Sequence, residues 1–317
     1  MAKKIIAVMG ATGAQGGGLV RAIQNDPNSE FAARAVTRSA DSDKAKALSQ
    51  SGVEVVTADV DDIESLKRAF QGAHGAYCVT FYWEHLSPAM ELVHANNMAE
   101  ASKQAGVAHV VWSTLEDTRK WVPLSDQRMP TLMDKYKVPH FDAKGESDKF
   151  FLDVGVPLTL SRASFYWENF IYFGSGPKKG PDGVLALTLP LGQKTKLPGI
   201  AAEDIGKCVY GVFKRGKEFI GKTIGLAGEQ LTGDQMASAM SKALGQEVRF
   251  NDVPPAVFRS FGFPGAEDLG NMFQFQADFE EYFLGARDPV LSRSLNPELQ
   301  TFDQWLARNA KKIPIDS

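Results

Sequence analysis

Short apolar runs punctuate the first half of the chain, at Ile5–Met9, Phe31–Thr37, Val53–Ala58, Gly75–Thr80, His109–Thr114 and Leu158–Arg162. Each has the length of a β-strand and is apolar at nearly every position. Between them the spacing turns helical: Leu19, Ala22 and Ile23, then Ile63, Leu66 and Phe70, then Met90, Val93 and Met98 follow the period of a helix face. Strands buried on both sides and alternating with helices predict a parallel sheet covered on both faces, an α/β, Rossmann-type doubly wound fold.

The pattern breaks between Phe165 and Gly199, where Gly174, Gly176, Pro177, Gly180, Pro181, Gly183 and Pro190 interrupt every regular run. Glu203–Lys214 reads as a helix again, and Thr223–Leu226 as a short strand able to rejoin the sheet. From Gly228 onward helices dominate, among them Thr232–Leu244 and a terminal helix capped by Asn296 and begun by Pro297. The expected organisation is a sheet domain of residues 1–164 plus 203–228. A smaller, mostly helical lobe, 165–202 plus 229–317, would carry substrate or partner contacts.

Composition narrows the function classes. Hydrophobic residues make up 44% and charged residues 23% of the 317, ordinary globular usage, and the formal net charge is −3. No basic cluster supplies the field that a nucleic-acid backbone requires, so direct nucleic-acid binding is not expected. No apolar stretch is long enough to span a bilayer, and Ile5–Met9 is too short for a signal-peptide core, so a cytoplasmic protein without membrane contact is expected. Cys78 and Cys208 lie far apart with no metal or CxxC spacing and read as two buried thiols. His74, His85, His94, His109 and His140 show no zinc-site spacing, and no GxSxG elbow is present.

The informative chemistry begins directly after the first strand, at Gly10-Ala11-Thr12-Gly13-Ala14-Gln15-Gly16. Between a strand and a helix, Gly10 permits the tight turn, Gly13 lets the backbone approach a pyrophosphate, and Gly16 lets the helix lie against the strand. The N–H groups of the helix start then face the phosphates. An NAD-specific site has an acid at the end of the second strand, whereas this chain reads Val36-Thr37-Arg38-Ser39. A guanidinium there suits a 2′-phosphate, with Ser39 and Lys44 nearby, so the expected cofactor is NADP(H). Asp59 and Val60, at the end of the third strand, occupy the adenine-contact position, and Asp59 equally suits the cap of the next helix. Thr80-Phe81-Tyr82-Trp83-Glu84 ends the fourth strand, and three successive aromatics cannot all point inward from one strand.

Together these segments resemble the NmrA-like family of atypical short-chain dehydrogenases/reductases, and within it the redox sensors most closely. The likeness runs through GATGAQGG (Gly10–Gly17), VTR (Val36–Arg38), TFYWE (Thr80–Glu84) and HFDAKGE (His140–Glu146). It continues in GVPLT (Gly155–Thr159), YWEN (Tyr166–Asn169), FGFPGAEDLGNMF (Phe261–Phe273) and TFDQWL (Thr301–Leu306). The resemblance implies NADP(H) contacts from Gly10, Ala11, Thr12, Gly13, Ala14, Gln15 and Gly16 and from Arg38 and Ser39. It also implies contacts from Asp59, Val60, Thr80, Phe81, Tyr82, Lys144, Tyr166, Trp167, Glu168 and Asn169. The sensors carry a basic cofactor contact near the middle of the fourth helix, where this chain has Val93 and His94.

Active short-chain dehydrogenases use a Ser together with a Tyr four residues before a Lys. Here Ser113 and Lys144 are present, but His140 stands four residues before Lys144. A phenol titrates near 10 and an imidazole near 6.5, so the usual proton donor is missing. His140 and Lys144 remain the candidate catalytic pair, with an ordinary structural histidine the plainer reading of His140 and ribose binding the plainer role for Lys144. The first expectation is therefore a sensor or regulator whose NADPH/NADP⁺ occupancy reshapes a surface for a protein partner, with little dehydrogenase activity. The alternative is an NADPH-dependent reductase of a quinone or small aromatic compound, with Phe81, Tyr82, Trp83, Phe165, Tyr166 and Trp167 lining its pocket. A monomer or a homodimer is expected.

Overall fold

The computed structural model describes residues 2–315. Seven strands form one sheet: β1 (Lys4–Met9), β2 (Phe31–Thr37), β3 (Glu54–Thr57), β4 (Gly75–Cys78), β5 (His109–Thr114), β6 (Leu158–Ala163) and β7 (Thr223–Leu226). Their order is β7-β6-β5-β4-β1-β2-β3, and the pairs among the first six are all parallel. The chain runs outward from β1 to β3, then returns to lay β4 on the other side of β1. The carboxyl end of β1, between β2 and β4, is thus the topological switch point where such sheets bind ligands.

The helices of this sheet are α1 (Ala14–Asn25), α2 (Asp43–Gln50), α3 (Ile63–Phe70), α4 (Pro88–Gln104), α5 (Pro139–Val154) and α6 (Ala202–Arg215). Side chains cap three of them: Ser42 accepts from the Ala45 N–H at α2, Asp62 from Glu64 at α3, and Ser87 from Met90 at α4. Asp62 thus takes the cap considered for Asp59, whose carboxylate instead accepts from the Asp61 N–H. Both cysteines are buried free thiols, as expected, and burial pushes Cys78 up to about 12.

The chain divides into two compact units, the first comprising residues up to Asp117, Ala143–Arg162 and Glu203–Ile224. The second takes Thr118–Asp142, Ala163–Ala202 and the residues from Gly225 on. Thr118–Asp142, counted with the sheet domain in the sequence reading, belongs to the second unit because that unit satisfies its backbone. Asp142 accepts from the N–H groups of Thr118, Lys137 and Val138, and the Asn271 amide donates to the carbonyls of Pro130 and Lys137.

The second unit is less purely helical than its sequence implies. Besides its helices it holds two three-stranded sheets, one of Glu229–Thr232, Lys196–Ile200 and Phe165–Tyr166, the other of Val248–Asp252, Leu185–Leu189 and Lys178–Lys179. Two of these strands, Phe165–Tyr166 and Lys178–Lys179, are only two residues long, too short to show a period, and the second lies between Pro177 and Gly180. The terminal helix starts at Phe302, capped reciprocally by Thr301 and Gln304, and not at Pro297. Asn296 instead ends the helix Pro289–Leu295, and its side chain bridges the following turn to the Glu298 N–H.

Within the first unit α1 and α6 meet through glycine. A Cβ at Gly18 would stand 2.4 Å from the Glu203 carbonyl oxygen, and one at Gly206 only 2.1 Å from the Leu19 nitrogen. Backbone on backbone leaves nothing flexible to yield. Gly206→Ala is therefore expected to lower stability by about 1–3 kcal/mol, the usual cost of overpacking, in chemical denaturation. An unchanged midpoint would contradict this contact.

Candidate functional site

The glycine turn is built as its sequence requires. Gly10 takes φ +61°, which a side chain rarely tolerates, and the ring of Phe81 lies against it. The Gly13 N–H donates to the Gly10 carbonyl at 2.8 Å, closing the turn. A Cβ at Gly16 would stand 2.5 Å from the Gly10 oxygen, so α1 reaches this depth only because Gly16 has none. In contrast to α2, α3 and α4, α1 begins at a residue with no side-chain cap and has no acid in its first turn. Its N–H groups are left for an outside acceptor, and an anionic one is favoured by the helix dipole.

Gln15 points its amide oxygen to the sheet edge, where it accepts from the hydroxyls of Tyr77 and Ser113, the latter at 3.0 Å. Arg38, just past β2, is exposed and paired with Glu84 at 2.9 Å. Ser39 follows it in a turn whose N–H is bonded to the Thr37 hydroxyl. Val60 is buried and its carbonyl accepts from Asn97.

The aromatic run after β4 separates as expected. Phe81 covers Gly10, Tyr82 is buried on a single helical turn, Tyr82–His85, and Trp83 is 40% exposed. Beside them lies a buried polar cluster. The Lys144 ammonium sits 2.6 Å from Glu91 Oε1 and donates to the Thr80 hydroxyl, which itself donates to Glu91. The Trp112 ring lies 5.3 Å from the same ammonium.

Glu91 is fully buried, and its second oxygen has no hydrogen-bond partner; it lies 3.6 Å from Nε2 of His85. The Ser87 N–H donates to His85 Nδ1, so the neutral ring carries its proton on Nε2, facing Glu91. Burial holds the His85 imidazole below its ordinary value, against the opposing pull of Glu91. His94, at the position where a basic contact was expected, instead meets Asp61 at 3.0 Å.

Glu91 and His85 were missed by the sequence reading. The only signal was a carboxylate in the first turn of α4, on the side of the helix that continues to His94, Ala95 and Met98.

The remaining expected residues lie in the second unit. His140 is buried, with its N–H and Nδ1 both on Asp268, the latter at 2.7 Å. The Trp167 indole is core, packed on Phe302 and Trp305 and so close to Gly199 that a Cβ there would stand 2.2 Å from its nitrogen. Glu168 accepts from Trp305 at 2.9 Å and from the first N–H of α6 at 2.8 Å. Burial, then Glu168, raises the Tyr166 phenol above its ordinary value. Asn169 opens the helical turn Asn169–Tyr172. Phe165 packs on Phe170 and Phe273, so Tyr82, Phe165 and Trp167 are all spent on packing rather than on the expected aromatic pocket. An open pocket of about 360 Å³ in this unit, lined by Leu231, Ser238, Lys242 and Phe302, contains none of the expected residues.

The profile of the NmrA-like family matches residues 2–306. The "NmrA-like family domain-containing oxidoreductase FrzB" of Cladobotryum sp is 30% identical over 293 residues, 86% of this chain and 83% of that protein. The crystal structure of NmrA, a negative transcriptional regulator, in complex with NADP superposes with a TM-score of 0.78 at 23% identity over 97% of this chain and 95% of that one. An NADPH-dependent quinone oxidoreductase from Escherichia coli superposes with a TM-score of 0.69 at 23% identity, covering 96% and 98% of the two chains.

The Lys144–Glu91 pair sets a test of its own. Removing one member leaves a buried charge without its partner, which costs about 3–5 kcal/mol, whereas replacing both with apolar groups is often neutral. Glu91→Leu and Lys144→Met should each destabilise strongly, and the double variant should lose far less than the sum. Additive losses in urea denaturation would show that the two side chains do not interact.

Proposed function

The chain belongs to the NmrA-like family, and from that premise we propose that it binds NADP(H) on the glycine turn and acts as a regulator responding to the NADPH/NADP⁺ balance. The observation that carries this reading is the state of the two residues a dehydrogenase would use. His140 replaces the phenol and is committed by two contacts to Asp268, while Lys144 is held by Glu91 and Thr80.

The residues at the turn fit a dinucleotide. The uncapped start of α1 presents its N–H groups to the pyrophosphate, and the bare Gly13 face leaves it room. Arg38 and Ser39 would take the 2′-phosphate, Asp59 and Val60 the adenine side, and Thr80, Phe81 and Lys144 the nicotinamide ribose. When bound, NADPH supplies a hydride at its nicotinamide ring. No helix among the described residues is long and apolar enough to cross a membrane. A cytoplasmic protein that signals cofactor occupancy to a protein partner, as monomer or homodimer, is the setting we propose.

One observation favours the second reading, an NADPH-dependent reductase of a quinone or other small aromatic. Lys144, Glu91 and His85 line up a cation, a buried carboxylate and an imidazole N–H, a set able to hold a proton and resupply it. The oxidoreductase names of the related proteins agree with it.

Two measurements test the proposal. Arg38→Ala should weaken NADPH binding about tenfold to hundredfold in calorimetry, the worth of a charge-assisted bond of about 1.5–3 kcal/mol, and NADH binding far less. Equal losses would remove Arg38 from the 2′-phosphate. The regulator reading further requires that NADPH bind tightly yet stay unoxidised with quinones and aromatic carbonyls. Oxidation at about one turnover per second or faster, abolished in the folded double variant Glu91→Leu, Lys144→Met, would establish the reductase instead.

A further inference from the structure

We propose that Glu84 is a gate on the 2′-phosphate site, one that lets this fold distinguish NADP(H) from NAD(H) by whether its ion pair with Arg38 opens. The inference rests on the reading that a dinucleotide lies on the glycine turn with its adenosine end at Arg38.

Arg38 follows β2 and Glu84 follows β4, and the sheet order places β1 between those two strands. The ion pair therefore spans the carboxyl end of β1, over the turn that starts at Gly10. Phe81, three residues before Glu84, already lies on Gly10, so the Glu84 segment is part of the wall of the turn. The segment is short and irregular: a single helical turn, Tyr82–His85, closed by Leu86 in the left-handed region at φ 52° and followed at once by the Ser87 cap of α4.

A phosphate dianion and the Glu84 carboxylate cannot both occupy the guanidinium without like-charge repulsion. Binding of a 2′-phosphate must therefore expel Glu84. A 2′-hydroxyl carries no charge and makes no such demand; it can instead donate to the carboxylate, the role that an acid at the end of β2 plays in NAD-specific sheets. The chain thus holds both recognition groups, joined to each other. The pair is exposed, 60% at the arginine and 51% at the glutamate, which makes it weak enough for a phosphate to displace. Trp83 stands on the same helical turn as Glu84 and is itself exposed, so it is placed to report the opening at the surface.

The test titrates wild type, Glu84→Gln and Arg38→Ala with NADP⁺ and with NAD⁺ in calorimetry. Trp83 supplies a second readout by iodide quenching: it is 40% exposed, Trp112, Trp167 and Trp305 are buried, and the half-buried Trp121 gives a background that Trp83→Phe measures. Glu84→Gln should tighten NADP⁺ about twofold to fivefold, the worth of an exposed ion pair, and leave NAD⁺ no tighter than in wild type. NADP⁺ should change the quenching of wild type while NAD⁺ does not, and Trp83→Phe should abolish the difference. If Glu84→Gln leaves NADP⁺ unchanged or weaker while Arg38→Ala still loses NADP⁺ selectively, the gate is refuted and the Arg38 site stands. If Arg38→Ala weakens both nucleotides equally, gate and site fall together.

Discussion

The structure around the site depends on one close approach, that of the first turn of α1 to the end of β1. The Gly10 oxygen lies where a Cβ of Gly16 would be, at 2.5 Å, so any side chain at Gly16 would push the helix away from the sheet. The same helix is held from its other side by Gly206 of α6, again backbone against backbone. Fixed on both sides, the helix start has no side-chain cap in front of its N–H groups, and Gln15 in its first turn reaches Tyr77 and Ser113 at the carboxyl end of the sheet. Everything proposed for the nucleotide follows from that placement.

A second constraint is electrostatic. Placing the Lys144 ammonium at the sheet edge with only 12% of its side chain exposed requires a buried counter-charge, and Glu91 supplies it from α4. The phosphate end of the site is the reverse case, since Arg38 and Glu84 are both open to solvent and readily screened. In the proposed reading, a buried pair on the ribose side and an exposed pair on the 2′ side suit a protein that holds its cofactor and discriminates at its edge. They are less suited to rapid proton transfer, because His140 is committed to Asp268.

Much of this was legible in the sequence. The alternation of apolar runs and helical periods located all seven strands of the sheet, and the three glycines announced the turn because each has a separate steric duty. Legibility fell where a residue's role depends on a partner distant in sequence. Arg38 could be read from its position after β2, but its pairing with Glu84, 46 residues on, could not. Glu91 is one of several polar residues on α4, and only the fold, by bringing Lys144 to it, sets it apart. The side chains of Trp167 and Glu168, read as cofactor contacts from the family resemblance, are occupied by Gly199, Phe302, Trp305 and the start of α6, partners that no local pattern announces. The terminal helix was misplaced because Asn296-Pro297 carries a cap-like signature, and the Thr301–Gln304 box that wins lies one turn later.

The most direct test of the central claim is calorimetric titration of Gly13→Val with NADPH. Gly13 has φ −95° and ψ −172°, a backbone that valine adopts, and its missing Cβ faces only the Gly10 oxygen at 3.2 Å, so the variant should fold normally. A branched side chain there would fill the space in front of the α1 N–H groups. The account predicts that the folded variant binds neither NADPH nor NADH; wild-type NADPH affinity in a folded Gly13→Val protein would contradict it.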